Sequence, residues 1–142
     1  MNEKPCATPT TETQSREIDL DCALRVMRWT RVSKLALCEY PERFYVVPDG
    51  QVFVYRNRRL IEPFAPTKNM KDAGELLKRC AERCTVTIQK SKNQLGDEQF
   101  MVARLSEYGG EYVEDFCKCE PTLELALAQF ALQLFPLTKE AR

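Results

Sequence analysis

The sequence predicts an α+β fold. Three stretches place apolar residues at steps of three and four, and five short runs are rich in β-branched and aromatic residues. Clusters of Gly, Pro, Asn and Asp separate these segments, which gives the order helix, hairpin, helix, three strands, helix. A chain of 142 residues suits one hydrophobic core. We read residues 1–15, rich in Thr, Pro and Glu, as an unstructured leader, 16–137 as one domain and 138–142 as a tail.

Each element has a local reason. Ile18, Cys22, Val26 and Trp29 form one helical stripe that Leu24 and Met27 widen, and Ser15 offers an N-cap. Arg43–Val47 and Gln51–Tyr55 flank Pro48-Asp49-Gly50, which has the chemistry of a tight hairpin turn. Leu60–Pro66 holds prolines that permit only an edge strand or a loop. Asn69 is placed to cap a second helix whose apolar side is Met70, Ala73, Leu76, Leu77 and Cys80, with Asp72 where a capping-box acid would sit. Strands follow at Cys84–Ile88, Gln99–Leu105 and Tyr112–Cys117, with loop Gln89–Gly96 and turn Gly109-Gly110 between them. The last helix is expected to open at Pro121 and to stop at Pro136. It is the most apolar element, so it should lie against a sheet or a partner.

Composition narrows the function. The chain is 44% apolar and 30% charged, which is globular rather than disordered. Leu123–Leu137, the longest apolar stretch, is interrupted by Glu124, Gln129 and Gln133, so no bilayer span is expected. With no apolar leader either, the expected location is the cytoplasm. Seven cysteines, an odd number, are read as free thiols, mostly small core residues. Histidine is absent, which removes the commonest general base and metal ligand. There is no Gly-x-Gly-x-x-Gly and no Walker-type loop. We therefore expect no catalytic residues and no cofactor.

Three groups invite a chemical reading. Cys80, Cys84, Cys117 and Cys119 are numerous enough for a tetrahedral zinc site, but their spacing is not that of a standard knuckle, and core thiols are the simpler reading. Glu114-Asp115 and Glu107/Glu111 are read as solvated charges, since neighbours on a strand face opposite ways. The basic turn Tyr55-Arg56-Asn57-Arg58-Arg59 is the most suggestive. Arg56, Arg58 and Arg59 are suited to phosphate, Tyr55 can stack on a base, and Lys68 and Lys71 would extend the site at a helix N-terminus. Net charge is zero, which disfavours extended nucleic acid, but residues 25–92 carry 15 basic against 7 acidic side chains and 93–124 carry 2 against 8. The simpler reading is charge that solvates the surface; set on opposite faces, the two segments would let the molecule self-associate or draw an anionic ligand to one side.

Three segments together resemble the phage ABA sandwich domain, a family of small phage and prophage proteins. They are Arg16-Glu17-Ile18-Asp19 through Val26-Met27-Arg28-Trp29, with Arg28 where the family has glycine; Pro66-Thr67-Lys68-Asn69-Met70, with Asn69 where it has aspartate; and Glu120-Pro121-Thr122-Leu123 before an Ala/Leu-rich helix. The resemblance implies a three-layer α/β/α sandwich, a mainly antiparallel sheet covered by helices, in a phage setting. It carries no established activity. The expected function is that of a phage accessory protein in the host cytoplasm that binds a ligand, in its sharpest form a nucleotide-like host signal sequestered to counter defence. The alternative is a protein–protein interaction module on a host or phage protein, docking by an apolar strip of the last helix or by an edge strand. A homo-oligomer is expected in either case.

Overall fold

The computed structural model describes residues 11–33, 43–57 and 60–136, with the backbone alone for 55–57, 60, 115 and 116. The chain enters through helix α1, Glu12–Asp21. Thr11 Oγ1 accepts from Gln14 N at 3.1 Å and Gln14 Oε1 accepts from Thr11 N at 3.0 Å, a reciprocal capping box. The helix therefore opens ahead of the expected Ser15 cap, and Ser15 is a buried residue inside it. Residues 11–15 of the expected 1–15 leader belong to the fold, and its remainder, 1–10, lies outside the described residues.

Past Asp21 the helix widens into one π-helical turn, Cys22–Val26, marked by the bond from Met27 N to Cys22 O at 3.0 Å. Ser15, Asp19, Cys22, Ala23, Val26 and Met27 are buried along one stripe, with Ile18 and Trp29 packed beside it. Leu24, expected on that stripe, is exposed. The turn ends at Arg28, whose φ of +60° lies in the left-handed region that favours glycine.

Four strands follow in the order β1 Thr30–Arg31, β2 Arg43–Val46, β3 Val52–Asn57 and β4 Leu60–Pro63, parallel between β1 and β2 and antiparallel elsewhere. Gly50 at φ +94° closes the β2–β3 turn, and Asp49 Oδ1 accepts from Gln51 N at 2.9 Å. Arg16 ties this turn to α1, donating to Asp49 O at 2.7 Å and pairing with Asp49 and Glu12. Helix α2, Met70–Ala81, is capped by Asn69, which accepts from Lys71 N and Asp72 N. Asp72 does not complete a capping box toward Asn69. It is buried and accepts from Ala65 N at 2.9 Å instead.

The second sheet is an antiparallel meander of β5 Thr85–Lys92, β6 Glu98–Tyr108 and β7 Glu111–Glu120. All three strands run past their expected ends, because ladder pairing continues where both faces become polar and the apolar alternation fades. Gly109 and Gly110, at φ +60° and +88°, make the two-residue turn between β6 and β7.

Helix α3, Leu123–Leu134, opens two residues later than expected, with Thr122 as N-cap accepting from Leu125 N. Leu125, Ala126, Leu127, Ala128, Phe130 and Ala131 are buried in near succession. The helix touches α1 and its π turn, α2, β6 and β7. Its C-terminal carbonyls are met by Arg25, which donates to Leu132 O at 2.8 Å and Phe135 O at 3.1 Å. Arg83 lies 4.1 Å above the Phe135 ring. Buried residues from all three helices and both sheets form one contiguous core. Among the described residues, no helix is long and apolar enough to cross a membrane.

Two substitutions test this account in urea unfolding. Arg28→Gly should raise the unfolding free energy by about 0.5–1 kcal/mol, since relief of left-handed strain exceeds the added unfolded-chain entropy, whereas Arg28→Ala should give no gain. Arg25→Ala should lower it by about 1.5–3 kcal/mol, the value of hydrogen bonds from a charged donor.

Candidate functional site

The basic turn falls between β3 and β4. Tyr55 and Arg56 lie on β3, where the register slips between Tyr55 and Asn57, while Arg58 and Arg59 lie outside the described residues. Lys68 and Lys71 are described, and each is met by a carboxylate. Lys68 pairs with Glu12, whose carboxyl is held below its usual range chiefly by that contact. Lys71 pairs with Glu62 of β4 at 3.7 Å. Both lysines are exposed, so these pairs add little stability, but they offset charge that an anion site would use.

Between α1 and α2, the segment Ala65-Pro66-Thr67 is held by two buried carboxylates. Asp19, 4% exposed, accepts from Thr67 N at 3.0 Å, and Asp72, 2% exposed, accepts from Ala65 N. Burial pushes the Asp19 carboxyl up to about 6, against the lowering effect of Thr67. The Thr67 hydroxyl is buried and closes no well-formed hydrogen bond. An acid sealed in this way meets no substrate, so its work is to fix the entry to α2.

The cysteines separate. Cys22 and Cys80 are buried, and desolvation raises both thiols, Cys80 to about 12, so neither is a nucleophile near neutral pH. Cys84 Sγ points back to Cys80 O at 3.7 Å. Cys117 is exposed and Cys119 half-buried on β7, so these two are not the core thiols expected. Among the described residues, no three His, Cys, Asp or Glu side chains are gathered to hold a metal.

The second sheet has one face against the core and a second face on which Ala103 is buried and Met101 half-buried. Antiparallel partners share a face, so register sorts its side chains. Val86, Phe100 and Val102 face the core. The other face runs in rows: Thr87, Ala103 and Cys117, then Gln89, Met101 and Cys119. Thr87 and Gln89 both donate to Glu114 on this face, at 3.2 and 3.3 Å. Among the described residues, β7 has no strand on its outer side. Toward the Gly109-Gly110 turn it carries Tyr112, 67% exposed, and Val113, opposite the exposed Tyr108 end of β6. Sequence reasoning placed β7 but passed over this surface, whose one early signal was the acidic run on the strand.

No family model, curated protein or solved structure gives a significant match to the chain.

Asp19 gives a pH test. Its folded pKa lies above its unfolded value of 3.8, so its contribution is full below that pH and is lost as pH rises through about 6. Asp19→Asn keeps an acceptor for Thr67 N and cannot ionise. The stability difference between wild type and Asp19→Asn, from urea midpoints at pH 4 to 7, should therefore shift toward the variant by at most about 3 kcal/mol. Asp19→Ala should lose about 1–3 kcal/mol at pH 4, because Thr67 N is left buried without an acceptor, and that difference should shift toward the variant as pH rises in the same way.

Proposed function

We propose that this chain is a non-catalytic accessory protein of a phage or prophage that acts by protein–protein contact along β7. The observation that carries this reading is a ten-residue edge strand, with no strand beyond it among the described residues and with Tyr112, Val113 and Cys117 exposed along it. Such an edge presents unpaired backbone groups in a row and is a template for an added strand. The last helix, the other surface considered for docking, is consumed by the core and drops out. The raised acid and thiols lie inside the protein, which favours binding over catalysis.

The phage setting rests on the resemblance, and three positions support it physically. Arg28 occupies a backbone conformation that suits the family's glycine. Asn69 caps α2 as the family's aspartate would. Pro121-Thr122 leads into α3 with Thr122 as its cap. The α/β/α layering belongs to the same proposal, supported by α3 lying against β6 and β7 on one side and against α1 and α2 on others.

A second reading keeps the anionic ligand at Tyr55–Arg59. Its support is the register slip between Tyr55 and Asn57, in the stretch of sequence that holds Arg56, Arg58 and Arg59. Lys68 and Lys71 leave that site for their carboxylates.

A photo-crosslinking residue at Tyr112 should yield a discrete adduct in infected cells. The same residue at Leu95, 77% exposed in the β5–β6 turn, should not, and Val113→Pro should abolish the Tyr112 adduct. Equal labelling from both positions would overturn the β7 reading. For the second reading, calorimetry against nucleotides should show binding that Arg56→Ala, Arg58→Ala and Arg59→Ala together remove. Unchanged binding by that triple variant would dismiss the basic turn.

A further inference from the structure

We propose that the outer face of the second sheet holds a binding site for a soft monovalent metal ion, Cu(I), built from Cys117, Cys119 and Met101. Cys117 and Cys119 alternate with Lys118 on β7 and so share one face, and the register sets Met101 of β6 directly across from Cys119. The fourth corner of this square is Ala103, across from Cys117, a buried methyl group that adds no donor, while the Glu114 carboxylate on this face is engaged by Thr87 and Gln89. Met101 is half-buried and Ala103 buried, yet neither belongs to the core cluster, which is reached from the other face of the sheet. Cys117 is exposed, so an ion reaches the site without any opening of the fold.

The donor chemistry selects the metal. Thiolates with a thioether prefer Cu(I), whereas a structural zinc site asks for four Cys or His ligands. The chain has no histidine, and among the described residues no third Cys, Asp or Glu joins this pair for a metal. Geometry disfavours the competing use of the two thiols. Residues two apart on a strand have Cα atoms roughly 7 Å apart with nearly parallel side chains, at or beyond the limit for a disulfide. Two metal–sulfur bonds of about 2.3 Å let the sulfurs stay farther apart and bridge the same pair without bending the strand. Binding exchanges thiol protons for the ion, so affinity should rise with pH.

The test is anaerobic titration of the reduced full chain against the Cu(I)–bicinchoninate complex. Wild type should withdraw one equivalent that Cys84→Ser also withdraws, with a sulfur-to-copper charge-transfer absorption. Cys117→Ser and Cys119→Ser should each weaken binding by about 100-fold or more, and Met101→Leu by about 10-fold, with unchanged circular-dichroism melts. Retention of copper by the Cys117→Ser/Cys119→Ser double variant would assign it to other cysteines and overturn the proposal. Failure of wild type to compete, or a preference for Zn(II) over Cu(I), would do the same.

Discussion

A helix that is apolar around most of its circumference has to be covered on several sides, and α3 imposes that condition on everything else. Leu125 through Ala128, then Phe130 and Ala131, leave no broad face for water. The chain responds by laying α1 and its π turn, α2 and the inner face of β6 and β7 around it. Small residues are needed where neighbours come close, and Ala126, Ala128 and Ala131 supply them. The polar ends of the helix are handled separately, Thr122 at one end and the Arg25 guanidinium at the other. Arg25 sits within the π turn, so the widened turn and the end of α3 are fixed to each other.

Surrounding one helix with elements distant in sequence forces connecting segments through the interior, where backbone groups need partners. Ala65-Pro66-Thr67 is such a segment. Pro66 has no N–H to satisfy, and the amides on either side go to Asp72 and Asp19. A carboxylate is a strong acceptor but a costly one to bury, which is why Asp19 holds its proton more tightly than usual. The contact joins α1 to the entry of α2, residues 48 apart in sequence, so its worth is in topology as much as in energy.

Elements defined by local chemistry were legible in the sequence: the stripe of α1, the Asn69 cap, the Pro48–Gly50 turn and the apolar α3. The misreadings have a common cause. Asp72 stands at a capping-box position, yet the demand of Ala65 N outweighs the local motif. Leu24 lies two residues from both Cys22 and Val26, on the far side of the helix from their stripe, and is left in solvent. β1 spans two residues and exists only by pairing with β2. At the candidate site, Lys68 and Lys71 read as free cations because their partners, Glu12 of α1 and Glu62 of β4, lie on other elements. The sulfur face of β6 and β7 depends wholly on register, which Met101 and Cys119 alone do not reveal.

The charge along the second sheet bears on what β7 can meet. β7 carries four acidic residues against one lysine, and β5, the opposite edge, carries two lysines and no acid. Two copies joined β7 to β7 would set like charges across the seam, and β5 to β5 would do so with the opposite sign, both unfavourable for cross-strand neighbours. β7 against the β5 edge of another copy, or against a basic strand of a different protein, is the arrangement that charge permits. Charge thus marks the two edges of this sheet, discouraging symmetric pairing at each while leaving the acidic edge open to a basic partner.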